Sequence, residues 1–345
     1  MNVVIFKFNH LGDNVVFVPV VQALRRLRPD WNLTLLTTPG EAALYGGPFA
    51  PQTILTYPKQ GFDKAYRRPW VLARWLLRVR AARPDACLIS FDQATVAHLI
   101  AKHSGARIRI GGNLQHIRVA GSLSAEVALP ADACPVSWHW EMARSLVGAL
   151  GTPSDWPDRA PAPDLSHLSG PDGGPPSGRR RIVVHAGASR YLNQWPRERF
   201  AAVASSLARD HEVVWITHGG TTGEGPAGTL PAPVSSLREF ASWVTSASLF
   251  LGNNSGPMHL ANALGCPGVV VTGPSAPGWN PYWHRDRWTV LRHPSLACSP
   301  CEKPNKALEG CANSESPMAC LTYWTPRLVE AACRSRLARS TGGRS

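Results

Sequence analysis

The chain has 345 residues and a formal net charge of +13, from 36 Lys and Arg against 23 Asp and Glu. At roughly 100–200 residues per domain this length fits two domains, and 44% hydrophobic content fits globular domains rather than a disordered chain. The basic balance favours anionic partners, and no run approaches the roughly 18 apolar residues of a membrane-spanning helix.

Met1 to Phe8 reads as a short apolar strand rather than as a charged region, an apolar region and a cleavage site, so a cytoplasmic protein is expected. Val3–Phe6 is a buried-strand run, followed by the turn 9–14 and a helical pattern from about Val15 to Leu27 that stops at Pro29. Leu33–Leu36 and Cys87–Ile89 are further strands, with a helical stretch Ala94–Ala101 after the second. Residues 152–181 are rich in Pro, Gly, Ser and Asp and cannot bury enough apolar surface for a core. The alternation then restarts. Strands are expected at Ile182–Val184, Val213–Ile216, Leu249–Leu251 and Val269–Val271. Helices are expected at Arg197–Arg209, Leu237–Ser246, Pro257–Leu264 and Leu328–Leu337. Strands alternating with helices imply parallel sheets. The expected fold class is α/β, two Rossmann-like domains facing across a cleft at the C-terminal ends of their strands, where such folds bind ligands. The expected division is a first domain 1–160, a linker 161–181, a second domain 182–325, a C-terminal helix 326–338 and a disordered tail 339–345.

Three strand-to-helix turns carry the chemistry. Phe250 to Ala261 runs from an apolar strand through Gly252-Asn253-Asn254-Ser255-Gly256 into a helix with Pro257 in its first turn. Free N–H groups at Ser255, Gly256 and the first helical turn, with the helix dipole, make a site suited to a diphosphate. The Ser255 hydroxyl can add to it, and His259 can reach the same ligand. The competing reading is a capped core helix with a structural histidine. Val184 to Arg190 repeats the pattern, with His185, Ser189 and Arg190 able to donate to phosphate oxygens, or else forms an ordinary βα turn. In the first turn, His10-Leu11-Gly12-Asp13-Asn14 lacks the G-x-G-x-x-G of dinucleotide-binding dehydrogenases. Asp13 projects a carboxylate into the cleft or caps the helix.

Four cysteines, Cys298, Cys301, Cys311 and Cys320, begin with a C-x-x-C and can close a tetrahedral zinc or iron site; otherwise they are reduced thiols in a surface loop. Cys87, Cys134, Cys266 and Cys333 are scattered and read as core residues. Residues 61–120 hold eleven Lys and Arg and three acids. Within them Trp70 to Arg80 forms an amphipathic helix, with Val71, Leu72, Trp75, Leu76 and Val79 on one side beside Arg74 and Arg78. Either it packs on its own sheet with a solvated basic face, or its arginines also face an anionic membrane or glycolipid. Nucleic-acid binding would explain the charge but not the turns, and no nucleic-acid partner is expected.

Together the turns resemble the ADP-heptose:lipopolysaccharide heptosyltransferase family, glycosyltransferase family 9. Its members carry a GD turn after the first strand, an H-x-G-x-S-x-x-x-K-x-W-P loop and a D-S-G-x-x-H segment. Here these are Gly12-Asp13; His185, Gly187, Ser189, Trp195 and Pro196; and Ser255-Gly256-Pro257-Met258-His259, with Gly265, Pro267 and Gly273-Pro274 continuing the pattern. The resemblance is dense over 182–333 and thinner before. It implies the two-domain GT-B fold and inverting, metal-independent transfer from a nucleotide-diphospho-sugar donor, ADP-heptose, to the inner core of lipopolysaccharide. Asp13 is then the general base. Gly12, His185, Ser189, Arg190, Asn193, Asn254, Ser255, Gly256 and His259 bind substrate, and Glu224 accepts from the nucleotide ribose. No catalytic cofactor is implied. The acceptor, an anionic glycolipid, implies peripheral contact with the cytoplasmic face of the inner membrane. The cysteine cluster resembles the iron-binding finger of protein-modifying relatives, and leaves a protein (autotransporter-type) heptosyltransferase open. The chain departs from the family pattern twice: Asn193 stands where the family has Lys, and Asn254 where it has Asp. One cation and one anion are lost together, which also leaves open a catalytically altered sugar-nucleotide-binding relative.

Overall fold

A computed structural model describes residues 1–91, 94–112, 119–128, 134–151, 155–170, 178–218, 225–302 and 308–339. The chain divides into two compact units, Met1–Asp164 and Leu165–Ser345.

The first unit is built on a six-stranded parallel sheet of β1 (Asn2–Lys7), β2 (Asn32–Thr37), β3 (Thr53–Thr56), β4 (Ala86–Ile89), β5 (Ile108–Gly112) and β6 (Ala125–Val127), in the order β3-β2-β1-β4-β5-β6. Its helices are α1 (Leu11–Val15), α2 (Val18–Leu27), α3 (Lys59–Asp63), α4 (Pro69–Ala81), α5 (Thr95–Lys102) and α6 (Pro135–Ala149). The central strands are covered on both faces, which is why Val3-Val4-Ile5-Phe6 is apolar throughout and fully buried. The single helix expected from Val15 to Leu27 is two helices. The first begins earlier, at Leu11, and the pair breaks at Val16-Phe17. Pro19 is the cause: it has no N–H to give to the Val15 carbonyl, so a new helix starts with proline in its first turn.

The second unit repeats the architecture. Strands β7 (Arg181–His185), β8 (Glu212–His218), β9 (Leu230–Val234), β10 (Leu249–Asn253), β11 (Gly268–Thr272) and β12 (Trp288–Arg292) form a parallel sheet in the order β12-β11-β10-β7-β8-β9. Its helices are α7 (Arg197–Leu207), α8 (Leu237–Thr245), α9 (Gly256–Ala263), α10 (Ala319–Thr322) and α11 (Pro326–Arg339). Helix α11 presents Val329, Cys333 and Leu337, four residues apart, to the core formed by Phe200, Val203 and Leu207 of α7 and the inner faces of β10 and β11. The terminal helix is thus an integral layer of the second unit. Part of the Pro/Gly-rich stretch is packed as well: Leu165 precedes a short 3₁₀ turn, Leu168 ends it, and both are buried. The tail from residue 340 lies outside the described residues. No helix among the described residues is long and apolar enough to cross a membrane.

Candidate functional site

The two sheets share one strand order. In each, the winding reverses between the first and fourth strand of the unit, β1 against β4 and β7 against β10. The C-terminal ends of those strand pairs are where open α/β sheets form ligand crevices.

In the first unit the chain leaves β1 at Lys7 and enters α1 three residues later. Gly12 is buried and Asp13 half-buried in the first turn of α1. His10, not Asp13, occupies the cap position. Asp13 therefore sits where the helix dipole favours a carboxylate, without acting as the N-cap. Its neighbour Asn14 fixes the turn: Nδ2 donates to the Asn9 carbonyl at 2.9 Å, and Oδ1 accepts from Tyr45 Oη at 2.8 Å. A cluster not anticipated from sequence lies at the same strand ends. Lys7 is fully buried, its Nζ donating to Ser90 Oγ at 3.0 Å, and Ser90 Oγ lies 2.8 Å from His139 Nε2. The ammonium also lies 5.5 and 5.7 Å from the ring centres of Phe17 and Phe91. The available signal was a lysine ending an otherwise apolar strand at its C-terminal edge.

In the second unit His185 ends β7 beside Gly252 of β10, buried and edge-on to Phe240. The loop 186–196 that follows is tied down by Asn253, a residue the sequence reading passed over. Its Oδ1 accepts from the Trp195 N–H and its Nδ2 donates to the Ala186 carbonyl, both at 2.9 Å. Trp195 is fully buried and donates from its indole to the Trp324 carbonyl. With both ends held, the loop leaves Ser189 and Arg190 exposed. Arg190 pairs with Glu302, so this cation already has an acid. Asn193 ends a 3₁₀ turn and accepts from Ser275 Oγ at 3.5 Å. Among the described residues no hydrogen bond joins Asn193 to Asn254.

Helix α9 has no side-chain cap. The Ser255 hydroxyl donates back to the Asn253 carbonyl. Pro257 has no N–H, and the N–H groups of Met258 and His259 go to the Ser255 carbonyl. What remains is narrower than the whole first turn: among the described residues, no hydrogen bond takes the N–H of Ser255 or Gly256. Asn254 is 4% exposed, and its Nδ2 has no partner among the described residues. Such buried donors are rare in folded proteins and point to a missing acceptor. Two neighbouring strand ends repeat the feature, also unforeseen: Thr272 Oγ1, ending β11, and Arg292 Nη1, ending β12 in register with Thr272, are buried without a partner among the described residues. Burial also lowers the pKa of the Arg292 guanidinium. His259 is buried against Trp279, and burial pushes its pKa down to about 4, so the ring is neutral at pH 7. Glu224 lies outside the described residues.

Cys298, Cys301, Cys311 and Cys320 line one cavity, together with Leu296 and Met318. Burial and the other three thiols push the Cys320 thiol up to about 11. The four sulfurs fit zinc or iron in kind. In arrangement they do not yet close a site: among the described residues no three His, Cys, Asp or Glu side chains are placed to hold a metal ion.

Three solved structures show how widely this architecture is shared. E. coli heptosyltransferase WaaC with ADP-2-deoxy-2-fluoro heptose superposes with a TM-score of 0.71 at 17% identity, covering 97% of this chain and 99% of its own. E. coli ADP-heptose lps heptosyltransferase II gives 0.71 at 19% identity, covering 99% and 100%. The dodecameric iron-containing heptosyltransferase TibC in complex with ADP-D-beta-D-heptose gives 0.58 at 15% identity, covering 98% of this chain and 76% of its own. At these identities the likeness establishes the fold, two parallel six-stranded sheets with helices, of GT-B type. No curated protein matches the sequence. The family model described as Glycosyltransferase family 9 (heptosyltransferase) matches residues 151–312, which hold His185, the loop 186–196 and the start of α9. The likeness to glycosyltransferase family 9 in sequence thus lies in residues 151–312.

Proposed function

We propose that the protein is an inverting glycosyltransferase that moves a heptose from ADP-heptose to the inner core of lipopolysaccharide at the cytoplasmic face of the inner membrane. The observation that carries this reading is the start of α9. Among the described residues, the N–H groups of Ser255 and Gly256 have no acceptor, and they follow directly on the buried amide of Asn254, whose Nδ2 has no partner there either. A diphosphate supplies the acceptors that this turn lacks.

In the proposed reaction Asp13 takes the proton of the acceptor hydroxyl, whose oxygen bonds to the anomeric carbon. The bond from that carbon to the diphosphate breaks, and its electron pair leaves on the phosphate. The growing charge is met by the N–H groups of Ser255 and Gly256, by the Ser189 hydroxyl, by Arg190 and by His185. These groups belong to the chain itself, so the reading assigns the charge stabilisation to them rather than to a metal. Neutral His259 hydrogen-bonds the sugar or a phosphate, and Glu224 accepts from the ribose. Gly12 lets the acceptor approach α1, while Asn193 and Asn254 form the uncharged wall of the donor site.

A thermal-shift panel of nucleotide sugars tests the donor. ADP-heptose at a hundred times its Kd should stabilise the protein by about 2.7 kcal/mol, and UDP- and GDP-sugars should not. No shift with any of them would sink the donor assignment. Stabilisation without turnover would mark a sugar-nucleotide-binding relative instead.

The cysteine cavity supports a second acceptor class, because the TibC structure that the chain resembles in fold is of an iron-containing heptosyltransferase. In that reading Cys298, Cys301, Cys311 and Cys320 draw together on a structural zinc or iron ion, and the acceptor is a polypeptide. Metal analysis of the purified protein and of a Cys301→Ser variant tests the ion. Transfer to purified glycolipid against transfer to a protein acceptor separates the two classes.

A further inference from the structure

Helix α4 is anchored on one side only. Trp75 packs edge-on against Phe8 and Phe62, and Val79 is fully buried beside them. Trp70, Ala73, Arg74, Leu77, Arg78 and Ala81 form the opposite stripe, spaced three and four residues apart, and all are exposed. Trp70 is 70% exposed and Leu77 64%, whereas the other twelve tryptophans are buried or half-buried. Tyr66, just before the helix, is 52% exposed with Arg67 over its ring. Residues 59–83 hold eight Lys and Arg and one acid, Asp63, which Lys59 already pairs. Among the described residues no ion pair involves Arg67, Arg68, Arg74 or Arg78.

We infer that this stripe of α4 is a docking surface for an anionic lipid bilayer, with Trp70, Tyr66 and Leu77 entering the headgroup boundary and the arginines on lipid phosphates. Three occupants could cover an exposed helix face, and the charge pattern decides among them. A second copy of the chain would bring Arg74 and Arg78 against their own like charges. A polyanion without lipid would meet the arginines but leave Trp70 and Leu77 in water. An anionic bilayer takes both, and a short helix with apolar side chains between long cations lies flat in its interface. The choice of bilayer rests on the glycolipid reading of the acceptor; the existence of the surface does not.

The test is co-sedimentation of the full chain with extruded vesicles, without donor sugar. Binding to phosphatidylglycerol–phosphatidylethanolamine vesicles and none to phosphatidylcholine is expected. The W70S/L77S variant should bind the anionic vesicles about tenfold more weakly, at unchanged thermal stability because both side chains are exposed. R74Q/R78Q should lose about tenfold or more and should also lose much of the salt dependence. Wild-type protein that ignores anionic vesicles overturns the surface, as does equal binding by both variants and the wild type. A wild-type dimer that W70S/L77S disperses, with no vesicle binding, overturns it in favour of self-association. Transfer to a lipid-free oligosaccharide, assayed on the same proteins, keeps the readings apart: transfer without vesicle binding sinks only the surface, and vesicle binding without transfer upholds it.

Discussion

The two units share one topology and use its switch point differently. In the first, three residues separate β1 from α1; the strand ends hold a buried Lys7–Ser90–His139 cluster, and the first turn of α1 carries one half-buried carboxylate, Asp13. In the second, the loop 186–196 follows β7 and leaves Ser189 and Arg190 exposed. The first turn presents a carboxylate, and the second presents hydrogen-bond donors. A common strand order fixes where a site can form, and the first residues after the strand decide its chemistry. That division also explains the uneven resemblance along the chain. A diphosphate demands particular backbone and side-chain donors, whereas a proton acceptor needs one carboxylate on whatever framework holds it.

The sharpest way to break this comparison is Asp13→Ala. If the first unit supplies the base, turnover should fall by about 10²–10⁴-fold, the range for general acid–base groups, while ADP-heptose still stabilises the protein as it does the wild type. Steady-state kinetics beside a thermal shift reads both. Wild-type turnover in the variant would leave the first unit without chemical work and move the base elsewhere.

Acid sensitivity comes next, because each unit contains a histidine whose pKa burial lowers to about 4. His98, near Ser122 in the first unit, and His259, beside Trp279 in the second, are both pushed down from 6.5 to about 4. In the unfolded chain each takes up its proton near 6.5, so below that pH protons favour unfolding. The stability these two rings provide is complete above about pH 6.5 and is lost as pH falls toward 4. The loss should reach about 3 kcal/mol for each. Urea unfolding at pH 7.5 and pH 5 should show smaller acid losses in His98→Gln and His259→Gln than in the wild type. If only the second variant flattens the profile, the acid response belongs to the second unit alone.

Much of this was legible in the sequence, for physical reasons that differ by element. Strands β1, β4, β7, β10 and β11 lie inside their sheets and are covered on both faces, so each reads as a short apolar run. The edge strands β3, β6, β9 and β12 do not. β9 is Leu-Pro-Ala-Pro-Val, and its two prolines are tolerated because an edge strand has one unpaired side. Helix α6 begins with Pro135 and mixes Trp and His among its inward residues, which hid its period. The turn into α9 announced itself through Gly, Asn, Ser and Pro. Asn253, which holds the loop, looked no different from Asn254, which has the unpartnered amide; only the alternation of strand side chains distinguishes them. The Arg190–Glu302 pair spans over a hundred residues, and no local pattern encodes it.

That pair sets up the smallest prediction. Asn193 stands where the pattern the chain resembles has lysine, and the loop's exposed cation, Arg190, is matched by Glu302. In the proposed reaction the second unit would therefore meet a diphosphate with less free positive charge than the resembled pattern would give it. Asn193→Lys restores one charge, and its cost is small, since the Ser275 contact it removes is 3.5 Å long. A partly exposed charge on phosphate is worth about 1 kcal/mol, so the Kd for ADP-heptose should fall about fivefold. Glu302→Gln reaches the same end by another route, because it frees Arg190 without adding a side chain, and it should tighten donor binding by a similar factor. Isothermal titration of both variants then decides whether charge is what the second unit lacks. Tighter binding in both makes the Asn193 replacement a matter of net charge. Tighter binding in the lysine variant alone makes it a matter of position, and no change in either would show that the backbone donors at Ser255 and Gly256 hold the diphosphate without help from the loop.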